Sequence, residues 1–268
     1  MTHADWALRG EMVALRPYVT ILPAMLRPLA LVVAVVATIM CVAGVASAKS
    51  EEAFGEPQRL EVKGFADAFY YRPRGRGMKP VIIYLHGRGG NPEEDCRKWA
   101  RVATQFGWVL CPEGPEDRGG GARSWANNPG LGKEIVDASL AALRAKYHRR
   151  VQLRGNILVG FSEGAFIAMQ VGLHDPKTWS RWLILAANDQ YWWGDAAQLL
   201  HDARKKIHRV YLLTGENDGV AQNTERVGEL VKAQDIPVKV SIKAGMGHEV
   251  PADRMITNYR RPLLWLAR

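Results

Sequence analysis

From residue 58 onward, short apolar runs alternate with longer stretches in which apolar residues recur every three or four positions. The runs at 81–85, 108–111, 156–159, 182–186 and 210–213 are apolar almost without interruption, which predicts strands buried on both faces, and 237–242 predicts the last strand. The stretches 92–106, 132–147, 163–173, 195–206, 222–234 and 253–266 carry the helical period. Asn91 is a candidate cap for the first of these, with Pro92 in the first helical position. Residues 58–63 and 67–72, joined through Gly64, predict an antiparallel pair at the start. Residues 112–131, rich in Gly, Pro and Asn and containing Trp125, predict a long loop, and 188–193 a second, aromatic one. Strands and helices in turn predict an α/β fold of three layers: a mostly parallel sheet of about eight strands with helices on both faces. No internal repeat or linker divides the chain after residue 48, so 49–268 is expected to be one domain.

The first 48 residues follow a different pattern. Residues 29–46 carry no charge, follow Arg27 and lead into Ala46-Ser47-Ala48 before Lys49. That is the layout of a secretory signal peptide, so 1–48 is expected to be a leader that is removed. Met25-Leu26-Arg27-Pro28 forms a short basic start, which makes Met25 a candidate initiator. The competing reading is an uncleaved membrane anchor, since the run approaches bilayer-spanning length. With cleavage, the protein is expected in the periplasm or outside the cell, without stable membrane association. Cys41 leaves with the leader, and Cys96 and Cys111 remain. In an oxidising compartment this pair is either one disulfide or two buried thiols. No C-x-x-C pair or Cys/His cluster suggests a metal.

The chain is 47% hydrophobic and 24% charged, ordinary values for a globular protein. Its formal charge is +9; residues 1–48 hold Arg9, Arg16 and Arg27 against Asp5 and Glu11, which leaves +8 for the remainder. The basic residues are scattered in short groups such as Arg149-Arg150 and Lys205-Lys206, and the expectation is a solvated basic surface with no nucleic-acid partner.

Candidate chemistry collects at one kind of position. His86-Gly87-Arg88-Gly89-Gly90, Ser162, Asp218 and His248 each fall just beyond the carboxyl end of an expected strand, where open α/β sheets build their sites. Ser162 stands in Gly160-Phe161-Ser162-Glu163-Gly164, a G-x-S-x-G pattern between a strand and a helix. HGRGG at 86–90, GFSEG at 160–164, GENDGV at 215–220 and GMGH at 245–248 together resemble the α/β-hydrolase superfamily, in the chain order Ser, Asp, His. Among its members the chain looks most like the small phospholipase/carboxylesterase and dienelactone-hydrolase-like serine esterases.

The resemblance implies Ser162 as nucleophile, His248 as base and Asp218 as the acid that orients it, with Glu216 and Asp189 as rivals for that last role. It implies an oxyanion hole from the backbone N–H groups of Arg88 and Glu163, and a structural His86. The Glu163 side chain, less usual at its position, is read as either disfavouring anionic substrates or pointing into solvent. Trp125, Tyr191, Trp192 and Trp193 either line a substrate pocket or pack their loops onto the body. No segment is long enough for a large lid, so the expected substrate is a small or polymer-end ester. No cofactor is expected, and oligomeric state stays open. A serine peptidase or amidase is the alternative within the enzyme class, and a non-catalytic binding protein on the same fold the alternative outside it.

Overall fold

A computed structural model describes residues 54–191 and 195–268. The expected leader, its cleavage site and Met25 lie outside the described residues, as do Trp192 and Trp193. Phe54–Arg268 is one compact unit.

The strands are β1 (Gln58–Leu60), β2 (Ala68–Tyr71), β3 (Val81–Leu85), β4 (Trp108–Pro112), β5 (Glu116–Asp117), β6 (Arg123–Ser124), β7 (Ile157–Phe161), β8 (Arg181–Leu185), β9 (Arg209–Gly215) and β10 (Val238–Lys243). Eight of them form one sheet in the order β1-β2-β4-β3-β7-β8-β9-β10. β1 and β2 run antiparallel to their neighbours and the rest are parallel, as the alternation of runs and helical stretches required. The helices are α1 (Pro92–Ala103), α2 (Pro129–Tyr147), α3 (Glu163–His174), α4 (Ala196–Ala203), α5 (Ala221–Lys232) and α6 (Met255–Ala267). Side chains alternate across the sheet, so each apolar strand feeds two cores. Val81, Ile83 and Leu85 join Leu140, Ile167 and Val227 on one face. Ile82 and Tyr84 join Trp99, Tyr259 and Leu263 of α1 and α6 on the other.

Two differences from the sequence reading matter for the site. Residues 112–131 are not all loop: they hold the β5–β6 hairpin, and α2 begins at Pro129 rather than at residue 132. Asn128 caps that helix by accepting from the Leu131 N–H at 3.0 Å, with Pro129 at its first position, the same Asn-Pro signal that opens α1. The two cysteines are joined: Cys96 in α1 and Cys111 in β4 form a disulfide across a Cα–Cα distance of 5.7 Å. The antiparallel run of a helix against its following strand brings those ends to one side of the sheet.

Candidate active site

β7 ends at Phe161 and α3 starts at Glu163, so Ser162 must reverse the chain within one residue. It does so at φ 54°, ψ −117°, a conformation that L side chains rarely adopt. The turn is possible because glycines stand two positions away on either side, at Gly160 and Gly164. A Cβ on Gly160 would lie 2.3 Å from the Gly164 carbonyl oxygen, and one on Gly164 2.2 Å from that of Leu85. Helix and sheet therefore approach to backbone contact, and the serine hydroxyl is lifted off the sheet edge.

His248 follows β10 and Asp218 follows β9. The Ser162 hydroxyl lies 2.9 Å from His248 Nε2, and His248 Nδ1 lies 3.0 Å from both Asp218 carboxylate oxygens. Asp218 is buried and tied down twice more: Oδ2 accepts from the Thr214 hydroxyl at 2.5 Å and Oδ1 from the Val220 N–H at 3.0 Å. With a carboxylate at Nδ1, the ring proton belongs there, which leaves Nε2 a lone pair for the serine. The rivals sit elsewhere. Glu216 accepts from the Gly245 N–H, and Asp189 pairs with Arg226 at 2.7 Å. Thr214 had escaped the sequence reading, since nothing local distinguishes it from the other residues of an apolar strand.

Arg88, after β3, and Glu163, at the first turn of α3, line the same pocket as Ser162. The Glu163 side chain does not point to solvent. Its carboxylate is buried and accepts from the Ser124 hydroxyl at 3.0 Å, the Trp125 N–H at 3.0 Å, the Asn127 N–H at 3.0 Å and Arg88 Nη2 at 3.1 Å. The Asn127 amide, oriented to satisfy both neighbours, donates to Glu163 and accepts from Arg88 Nη2 at 2.7 Å. Burial alone would raise this carboxyl; the hydrogen bonds from Trp125, Asn127, Ser124 and Arg88 overcome it and hold Glu163 below the usual carboxylate range.

Trp125 does not line that pocket. It is fully buried, donates from Nε1 to the His86 carbonyl at 2.9 Å and stacks on the His86 ring at 5.1 Å between centroids. Of the two roles open to it from sequence, packing its loop onto the body is the one observed. His86 is fully buried, its Nδ1 2.8 Å from the Gly87 carbonyl, while Nε2 accepts from the Gly114 N–H at 3.0 Å. Burial lowers its pKa, so the ring is a neutral strut for the 86–90 loop, as expected. The backbone of Tyr191 closes a short 3₁₀ turn from Asp189.

Around Ser162 and His248 lies a pocket of about 340 Å3, walled by Arg88, Asn127, Phe166, Ala186, Asn188 and Val220. Its walls mix amide, guanidinium and apolar groups. Among the described residues no group of His, Cys, Asp and Glu could hold a metal ion.

No family model matches this chain, and no curated protein matches it. Solved structures do. A carboxylesterase from Bacillus cereus superimposes with TM-score 0.55 at 16% identity, covering 74% of this chain and 92% of that one. An S-formylglutathione hydrolase from Agrobacterium tumefaciens gives 0.58 at 20% identity, covering 80% and 96%. The chain has the α/β-hydrolase fold. A dipeptidyl peptidase 4 from Porphyromonas gingivalis shares that fold with it at TM-score 0.56 and 17% identity, over 79% of this chain and 35% of the peptidase. In the α/β-hydrolase fold of this chain, Ser162, Asp218, His248 and the 86–90 loop all sit at the carboxyl edge of the parallel strands, where such sheets open.

Proposed function

We propose that this protein is a serine hydrolase that cleaves carboxylic esters through an acyl-enzyme. The observation that carries the reading is the unbroken hydrogen-bonded chain from the Ser162 hydroxyl through both nitrogens of His248 to the buried Asp218. A serine hydroxyl attacks a carbonyl only when a base removes its proton. Here Nε2 accepts that proton as Oγ bonds to the carbonyl carbon, and Asp218 stabilises the imidazolium that forms. The oxyanion faces the N–H groups of Arg88 and Glu163, donors of a kind worth about 3–4 kcal/mol each to such a barrier. As the intermediate collapses, His248 returns the proton to the departing alkoxide. Water then repeats the sequence on the acyl-enzyme and releases the acid.

The ester reading draws on the neighbours that are esterases; the same chemistry serves amides, as in the peptidase neighbour, and comparison of a short ester with a peptide substrate separates the two. The size of the pocket favours small soluble esters or polymer ends. We also propose that the protein works in an exported, oxidising compartment, a reading supported by the Cys96–Cys111 disulfide and by the leader-like pattern of residues 1–48.

The test is labelling by a fluorophosphonate probe together with hydrolysis of p-nitrophenyl acetate. The native protein is expected to be labelled on Ser162 and to turn over the ester. Ser162→Ala should remain folded and lose both. Native protein that is folded yet neither labelled nor active would favour the non-catalytic binding reading; undiminished turnover in Ser162→Ala would sink the assignment.

A further inference from the structure

The cations that look scattered along the sequence are gathered by the fold. Parallel strands all begin on one side of the sheet, opposite the pocket, and the connections into them are tied together there. The Lys79 N–H donates to the Arg150 carbonyl, Gly155 to that of Lys177, and His208 to that of Ser180. Arg144 reaches the carbonyls of Gln152 and Leu153, and Arg181 that of Gly155. Segments 72–79, 144–154, 177–181 and 204–209 thus form one surface, and each is basic without an acidic residue.

Carboxylates do not pair with this face, although Asp175 and Asp137 act on Arg144 from nearby. Every ion pair among the described residues lies outside these segments. Asp175, the acid between two of them, accepts from the Thr178 N–H. The cations lie instead over aromatic rings: Arg72 over Tyr147, Arg74 over Phe54, Arg150 over Trp108 and Arg209 over Trp265, at 5.0–5.8 Å. Burial and the neighbouring Arg209 lower the pKa of Arg181, and burial, Arg181 and Arg209 lower that of His208, as expected where like charges crowd. Helix C-termini attract cations and account for Arg144 and Lys146. They do not account for Arg72, Arg74 and Arg76 in a connection, or for Arg181 and Arg209 at strand starts.

Two apolar side chains project from the same surface. Leu153 is 64% exposed and Met78 58%, on either side of the bridge between Lys79 and Val151. The chain also enters the fold here, at Phe54 beneath Arg74, and the apolar run 29–46 ends eight positions earlier in the sequence. Dense positive charge with projecting aliphatic groups suits an anionic bilayer surface, where cations meet headgroups and apolar side chains enter the acyl boundary. A nucleic-acid site would present exposed aromatic platforms or a recognition element; here the Trp108 ring is fully buried beneath Arg150.

We propose that this basic face docks the protein on an anionic lipid bilayer, with Met78 and Leu153 entering the headgroup layer and the pocket directed away from the membrane. The test is sedimentation of the full chain with phosphatidylglycerol–phosphatidylcholine vesicles and with pure phosphatidylcholine vesicles. It is repeated for Arg149→Gln/Arg154→Gln/Lys177→Gln and for Met78→Ser/Leu153→Ser. The N-terminal segment is common to all three proteins, so differences between them read the face alone. Melting temperature and soluble-ester turnover, expected to be unchanged, report folding and the site separately.

Binding to the anionic vesicles should exceed binding to neutral ones and weaken with salt. The triple variant should lose about tenfold or more in vesicle affinity. The double variant should lose vesicle affinity while keeping its affinity for heparin. Equal binding of the native protein to both kinds of vesicle would overturn the proposal, as would a triple variant that binds normally. So would tight binding to duplex DNA with vesicle binding indifferent to Met78 and Leu153, which would assign the face to nucleic acid instead.

Discussion

Ser162 and Glu163 are adjacent in sequence but answer to different parts of the chain. Ser162 is held by its strained backbone and by partners that arrive after two later strands. Glu163 is held by a loop that precedes it, gathering five donors onto one buried carboxylate and thereby fixing residues 124–127 and Arg88 at the pocket wall. Glu163→Gln keeps the shape but turns an acceptor into a group with two N–H donors facing other donors. Leaving these partners unpaired in a buried site should cost about 2–4 kcal/mol. Urea denaturation measures it, and an unchanged midpoint would mean that the clamp adds nothing to stability. The grouping of Ser162, Asp218 and His248 was legible in the sequence because each falls just beyond the end of an expected strand. The Glu163 clamp was not, since the variable positions of G-x-S-x-G say nothing of what they will meet. Trp125 misled for a related reason: an aromatic residue among glycines and prolines suggests an exposed loop, whereas its indole N–H finds the His86 carbonyl in the core.

Among the elements, continuous apolar runs located β3, β4, β7, β8 and β9 because parallel strands covered on both faces have no polar side to break the run, whereas β10, at the sheet edge, is half-exposed and interrupted by Lys239 and Ser241. Helix ends were read less well. The start of α2 was missed although Asn128-Pro129 repeats the Asn91-Pro92 signal, because Gly130 and Gly132 obscured the helical period. The disulfide between α1 and β4 could not be decided from spacing, since burial alone suits a thiol equally. It closes a segment of 15 residues, and a loop of that size restricts the unfolded chain by about 3 kcal/mol. Cys96→Ala/Cys111→Ala is therefore expected to lower unfolding free energy by about 2–3 kcal/mol in denaturant titrations. Reductant should lower the native protein toward the variant and leave the variant where it is.

For the whole molecule, the depressed pKa values set the pH range of stability. His86 is buried and neutral, with Nε2 accepting from Gly114, and burial lowers its pKa; His208 is lowered as well. A group whose folded pKa lies below its unfolded value contributes stability in full above the unfolded value and loses it as pH falls. Stability should begin to decline below about pH 6.5 as these histidines are forced to charge, and decline again below about pH 4 as Glu163 takes up a proton. Denaturation midpoints between pH 8 and pH 3 (roughly the span of those unfolded values) would read both steps; a flat profile from neutral to mildly acid conditions would contradict the first. The charge asymmetry of the molecule was invisible in the sequence for a plain reason. Its cations come from separate connections, and only the shared polarity of the strands brings them to one side.

The sheet order has one more consequence. Its two borders are unlike: β1 is three residues long, whereas β10 runs for six with its outer backbone uncovered by a further strand. A long open border is a template on which another chain can add a strand. Along β10 the border carries Lys239 and Lys243, whose ammonium groups would have to be stripped of water and crowded against a newcomer. The same lysines that add to the positive charge of the molecule thus act as gatekeepers against fibrillar growth at its only long free border among the described strands.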